Sequence, residues 1–351
     1  MDTSKKISTY KEKVYTSILS YFVILVLLSI SIWEPFRGYY FGVLFLIPLV
    51  DFNKKIISFE FLLIIFFSLY IIISLLLYNP TLFEHFRYIG FLYFLFIINN
   101  LKNINLNERI IKKGIYFSLF ICIINLIYFI LYNNQITFIE KGPLGQYIGL
   151  CLILLYILER NKISIYISLL LNIILTSLRG FGVSLLILVS QIKTTNKIIF
   201  LSLFVLILLM SPNFIGIQAR IDTAISAIYQ EHNSFVGRYA ALYMLTEFFT
   251  YDFFKILFGH GAGSYNDLRY INMDTYIDYD YPGIIIIEIL ISLGIVGTIL
   301  FIFSVMNVFQ FHITTLWLLF NSLAASIHDP MFWISSIILL FIEKNSTKAY
   351  R

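Results

Sequence analysis

The stretch Gly283–Val305, reading GIIIIEILISLGIVGTILFIFSV, carries one charged residue, Glu288, in 23 positions. Crossing the hydrocarbon core of a bilayer takes about 20 apolar residues in a helix, so this run is of spanning length. Working outward, similar runs lie near 16–33, 39–50, 56–78, 86–98, 114–132, 143–158, 163–178, 180–192, 197–210, 313–327 and 331–342. Hydrophobic residues make up 59% of the 351-residue chain and charged residues 13%. A soluble domain carries about 25% charged residues, so this chain lacks the charge to coat a soluble surface of its size. The expected fold is an all-α integral membrane protein of about twelve transmembrane helices in one polytopic domain, 1–351. The number falls to eleven if 163–192 forms one helix around Arg179 or 313–342 one helix kinked at Pro330.

Sidedness follows from the cations. Lys5–Lys13 followed by an apolar run looks like a signal peptide, but no small-residue cleavage site follows, so the segment reads as a signal anchor. Placing the N-terminus in the cytoplasm and crossing at every run puts most lysines and both termini inside, as the positive-inside rule requires. Only Lys141 and Lys255 among the lysines then face out, against six arginines: Arg37, Arg87, Arg179, Arg220, Arg238 and Arg269. The planar guanidinium fork suits phosphate and carboxylate ligands, so an arginine-enriched outer face points to an anionic ligand there. The net charge of +5 is spread over short loops and does not form a nucleic-acid patch. Cys122 and Cys151 sit in apolar runs without metal or disulfide spacing and read as small buried hydrophobes.

One loop is long. Residues 211–281 lie on the outer face, and a long loop that is not of low complexity usually carries function. Phe235, Tyr239, Leu242, Tyr243, Leu245 and Phe249 recur at helical spacing and predict an amphipathic helix on the membrane surface. Phe258-Gly259-His260-Gly261-Ala262-Gly263-Ser264 then breaks the helix in a flexible turn, and Asp267, Asp274, Asp278 and Asp280 follow.

Thr176–Gly182, Gly237-Arg238 and Gly259–Ser264 occur in this order, and together they resemble motifs of the O-antigen ligase and polymerase superfamily. Thr176-Ser177-Leu178-Arg179-Gly180-Phe181-Gly182 is similar to its Ser-Arg-Gly helix opening. Gly237-Arg238, leading an aromatic-rich helix with Glu247, resembles its second arginine. Gly259–Ser264 is similar to the glycine-rich turn that closes that helix. Gly294-Ile295-Val296-Gly297 matches the family's Gly-x-x-Gly in the next span, and Gly142–Gln146 is a looser match. The resemblance covers roughly 140–300. It implies a metal-independent glycosyltransferase of the helical membrane class (GT-C-like), needing no cofactor and acting on undecaprenyl-pyrophosphate-linked oligosaccharide. Ligases carry a His-Asn or His-Asp pair before the span that follows the large loop. Here that place reads Asp278-Tyr279-Asp280-Tyr281-Pro282, which favours polymerase over ligase.

Joining such units requires a clamp on the departing pyrophosphate, a base for the attacking hydroxyl, and alignment of the two. Arg179 and Arg238 are the candidates for the clamp, with Arg87 and Arg37 as helpers near the lipid. His260, or instead Asp280 or Asp278, is the candidate base. Glu288, one turn into its span, would orient an arginine or a sugar hydroxyl. The expected setting is a bacterial cytoplasmic membrane, with membrane lipid, a chain-length regulator and a flippase as further partners and no nucleic acid. The alternatives are an O-antigen ligase, or a polysaccharide flippase or transporter, whose midplane sites are built from broken helices.

Overall fold

A computed structural model of the chain describes residues 3–32, 39–52, 59–104, 106–132, 141–159, 187, 190, 233–265, 268, 284–322 and 329–346. Among the described residues the fold is all-α, with one isolated β-bridge, Val50 to Leu101, and no strand. The helices are α1 (Thr3–Ile32), α2 (Tyr39–Leu46, continued by a 3-10 turn Ile47–Leu49), α3 (Phe59–Tyr78), α4 (Leu82–Asn99), α5 (Glu108–Tyr132) and α6 (Lys141–Glu159). After these come α7 (Asn233–Phe248), α8 (Phe253–Phe258), α9 (Ile285–Ser304), α10 (His312–Ser322) and α11 (Pro330–Ser346). Each except α8, which no expected stretch covers, overlaps the apolar run or amphipathic stretch expected for it. The runs at 163–178, 180–192 and 197–210 lie outside the described residues, apart from two positions.

Two described helices are long and apolar enough to cross a membrane: α1, over Glu12–Ser29, and α9, whose mean hydropathy is 2.7. Leu62–Tyr78 and Gln146–Glu159 are apolar but shorter than 18 residues.

The chain divides into two compact units. The first comprises Met1–Asp51, Leu101–Gln218 and Trp333–Arg351. Here α5 approaches α1 closely: a side chain at Gly114 would meet Ile24 within 3 Å. From Trp333 to Ile342 every residue of α11 is buried, as a helix apolar on all faces must be. Polar ties gather at one end of this unit. The Ile104 N–H donates to Asn345 Oδ1 (2.8 Å), Lys344 Nζ to the Leu101 carbonyl (2.8 Å), and the Asn107 N–H to Ser20 Oγ (3.0 Å).

The second unit, Phe52–Asn100 and Ala219–Phe332, is built around α9. Phe67 of α3, Phe91 of α4 and Phe301 of α9 pack with ring centroids 5.9–6.3 Å apart. The opposite side of α3 leaves Leu62, Ile65, Phe66, Leu69, Ile72, Ile73, Leu76 and Leu77 exposed. At the far end, Asn99 donates to the Ser304 carbonyl (2.8 Å) and accepts from Asn307 (3.2 Å).

The amphipathic stretch of the long loop is the helix α7. Of the face expected on the membrane surface, Leu242, Tyr243 and Phe249 are left exposed, while Ala241, Met244 and Phe248 are buried with Ile284, Ile287 and Ile291. The helix thus has a second apolar side, packed against α9, where Ala241 admits close approach.

Candidate functional site

Halfway along α9 the helix is broken. Gly294 has φ +68°, ψ −171°, outside any helical conformation, and this interrupts the ladder of backbone hydrogen bonds. The carbonyls just before the break therefore need other donors. The glycine-rich turn after α8 supplies them: the His260 N–H donates to the Ile291 carbonyl (3.0 Å) and the Gly261 N–H to that of Ser292 (2.9 Å). The Tyr70 hydroxyl of α3 lies 2.7 Å from the Leu293 carbonyl and 2.9 Å from that of Phe258. Backbone thus packs directly on backbone. A Cβ at Gly259 would lie 2.4 Å from the Ser292 oxygen, and one at Gly294 2.4 Å from the Gly259 nitrogen. Both positions also have positive φ, which an L side chain adopts only under strain.

The rest of the turn is seated on the corner between α3 and α4. Ala262 N–H donates to Ser74 Oγ (2.8 Å), Gly261 lies against the Tyr78 ring, and Gly263 lies against Pro80 and Glu84. The stretch expected to be a flexible turn is therefore pinned, and it meets α9 about 9–14 Å along the helix axis from its first residue, at roughly 1.5 Å per residue.

Pinning the turn gathers a polar corner. His260 stacks edge-on against Tyr251, ring centroids 4.4 Å apart. Burial holds its imidazole below the usual histidine value, an effect opposed by the Ile291 backbone beside it. Its Nδ1 is buried with no hydrogen-bond partner among the described residues, and so is the Oγ of Ser264. From α9 come Glu288 and Ser292, both buried and four residues apart on one face. From α4 come Glu84 and Tyr88, again four apart, with Tyr88 fully buried. The Tyr88 hydroxyl lies beside the Ser292 side chain and the Gly263 backbone, and the Glu288 and Glu84 carboxyls are its charged neighbours. Glu84 also forms a 2.7 Å ion pair with Arg87, one turn on.

Of the residues singled out from sequence, Glu288 and Arg87 belong to this corner, whereas His260, at the start of the same turn, has its ring against Tyr251 and has Lys255 and Asp252 as its charged neighbours. Arg87 enters it already engaged by Glu84, so its charge is shared and not open as a clamp in this state. Arg238 lies on α7, which packs against α9 in the same unit; its side chain lies outside the description. Arg179, Arg37, Asp278 and Asp280 lie outside the described residues.

Tyr88, Ser292, Ser264 and Glu84 were not singled out as site residues. The signal for two of them is spacing, since Ser292 is four residues beyond Glu288 and Tyr88 sits just after the cluster Glu84-His85-Phe86-Arg87. Chemically, the corner combines two carboxyls, a phenol and hydroxyls, and the same turn carries the His260 imidazole beside Tyr251. That set can accept and relay a proton and can hydrogen-bond a polyhydroxylated ligand. No protein-family model matches the chain, and none of the curated proteins compared with it is similar to it.

Proposed function

We propose that this protein is a polytopic membrane glycosyltransferase of the O-antigen polymerase type, with about twelve spans, both termini in the bacterial cytoplasm and 211–281 as its large outer loop. It transfers glycan from undecaprenyl pyrophosphate to a second lipid-linked repeat unit without a metal. In the transfer, an acceptor hydroxyl attacks the anomeric carbon, and the bond from that carbon to the pyrophosphate oxygen breaks. The hydroxyl proton passes to His260, and the negative charge left on the pyrophosphate is met by Arg179 and Arg238. The observation that carries this reading is the pinned turn, which fixes the half-buried His260 by its backbone to the helix bearing Glu288. The membrane part is supported by the apolar helices α1 and α9 and by the uncovered apolar side of α3.

Transport of lipid-linked glycan is favoured by one feature, the break in α9, because transporters use discontinuous helices to present free carbonyls to their cargo. Here the carbonyls of Ile291, Ser292 and Leu293 are already bonded to the turn and to Tyr70. A break that is filled in this way serves as a fixed scaffold, which suits catalysis better than alternating access.

The test is the electrophoretic profile of surface polysaccharide from cells lacking the gene, complemented with wild type or with Arg179→Ala. The expected result is collapse of the long ladder to a core with a single repeat unit, restored by wild type only. An unchanged ladder contradicts polymerisation, and loss of every repeat including the first reassigns the protein to transport or ligation.

A further inference from the structure

In the first unit, a cavity of about 470 Å³ lies between the start of α5 and the end of α6. It is lined by Glu108, Arg109, Lys112, Lys113, Tyr116 and Glu159. Its two carboxylates are engaged. Glu108 pairs with Lys112 at 3.8 Å, and Glu159 accepts from the Tyr116 hydroxyl at 3.1 Å. Arg109 and Lys113, by contrast, form no ion pair among the described residues. They are four apart and so share a face of α5. Continuing up that face, the next exposed side chains are Phe117, Phe120 and Ile124. With three cations against two carboxylates the cavity has a net positive charge, and Arg109 and Lys113 stand at the foot of an open apolar track.

We propose that this cavity binds the phosphodiester headgroup of an anionic phospholipid, with its acyl chains lying along Phe117, Phe120 and Ile124. A soluble phosphate would satisfy the cations but has no use for the apolar track, whereas a lipid matches both parts. The sidedness read from the lysines puts this end of α5 and α6 at the cytoplasmic face, where anionic lipids attract basic groups. The inference rests on the membrane-spanning part of the proposed function and not on its transfer chemistry.

The full-length protein, purified in detergent and stripped of lipid, is titrated with phosphatidylglycerol or phosphatidylcholine, and bound lipid is counted by native mass spectrometry. Wild type is expected to prefer phosphatidylglycerol about fivefold, from about one net positive charge near a charged headgroup. The preference is expected to vanish in Arg109→Gln/Lys113→Gln and to survive in the charge-conserving Arg109→Lys/Lys113→Arg. Equal loss in a control, Lys5→Gln/Lys6→Gln, would make the preference a general charge effect and overturn the site. Displacement of phosphatidylglycerol by glycerol 3-phosphate would assign the cavity to a soluble anion and overturn it as well. A protein that remains soluble without detergent would instead refute the membrane reading, a separate failure.

Discussion

Residues 101–104 and 106–107 of the first unit and the turn Gly259–Tyr265 of the second are both irregular backbone tied to helices, but they are tied differently. The first are held largely by side chains: Asn345 and Lys344 from the last turn of α11, and Ser20 from the middle of α1. A side chain reaches out from a helix without taking part in its backbone ladder, so no helix is interrupted. The turn Gly259–Tyr265 is tied to the middle of α9, where an intact helix has no carbonyl to spare. Its seat exists only because Gly294 breaks the ladder and Gly259 lets the chain come within contact of it. Side chains can fasten a loop to the rim of a bundle, whereas burying a loop inside one takes glycine on both partners. The same seat leaves His260 half-buried, with its Nδ1 covered.

This contrast can be broken or sharpened by substitution. The largest effect is expected for Gly259→Ala or Gly294→Ala, where a methyl group meets backbone at 2.4 Å on a residue with positive φ. Each is expected to destabilise the protein by about 3 kcal/mol, from strain and displaced backbone bonds, measured by unfolding in detergent. Because the two glycines touch, the double variant should fall short of the sum. In the first unit Asn345→Ala removes the acceptor of the Ile104 N–H and is expected to cost about 1–2 kcal/mol. A loss as large as that at Gly259 would erase the distinction between the two regions. Tyr70→Phe, which removes one hydroxyl from the broken helix, is expected to cost about 1 kcal/mol.

The smallest effect concerns pH. The native His260 value is lowered, so the unfolded chain takes up a proton there first as pH falls. Stability should therefore be full above the ordinary value of about 6.5 and decline as pH drops below it, until the lowered native value is passed. His260→Gln should flatten that slope in a pH series of unfolding curves. An unchanged slope would mean that partial burial does not lower the His260 value.

Much of the helix layout was legible because long apolar runs bounded by Lys, Asn and Pro have few other solutions. Glu288 stood out as the single charge in its run, and His260 as the histidine set between glycines. The inward side of α7 was not legible because Ala241, Met244 and Phe248 are as acceptable to a core as Leu242 and Tyr243 are to a membrane surface. Sequence periodicity cannot choose between two apolar faces; the partner helix does. The break at Gly294 was equally hidden, since glycine in an apolar helix usually marks close packing and only the arriving turn makes it a hinge in the ladder. Tyr88 was hidden for a related reason. A tyrosine in an aromatic-rich span reads as an interface anchor until Ser292 and Glu288 are placed beside it.

The most direct test of the account is made on protein reconstituted in vesicles, with an undecaprenyl-pyrophosphate-linked repeat unit as sole substrate and a metal chelator present. Wild type is expected to yield products longer by whole repeat units. His260→Ala, inserted and folded to the same extent, is expected to lose about 100-fold or more of that rate, as removal of a general base does. Equal elongation by both proteins, or substrate moved across the bilayer without elongation, would contradict it.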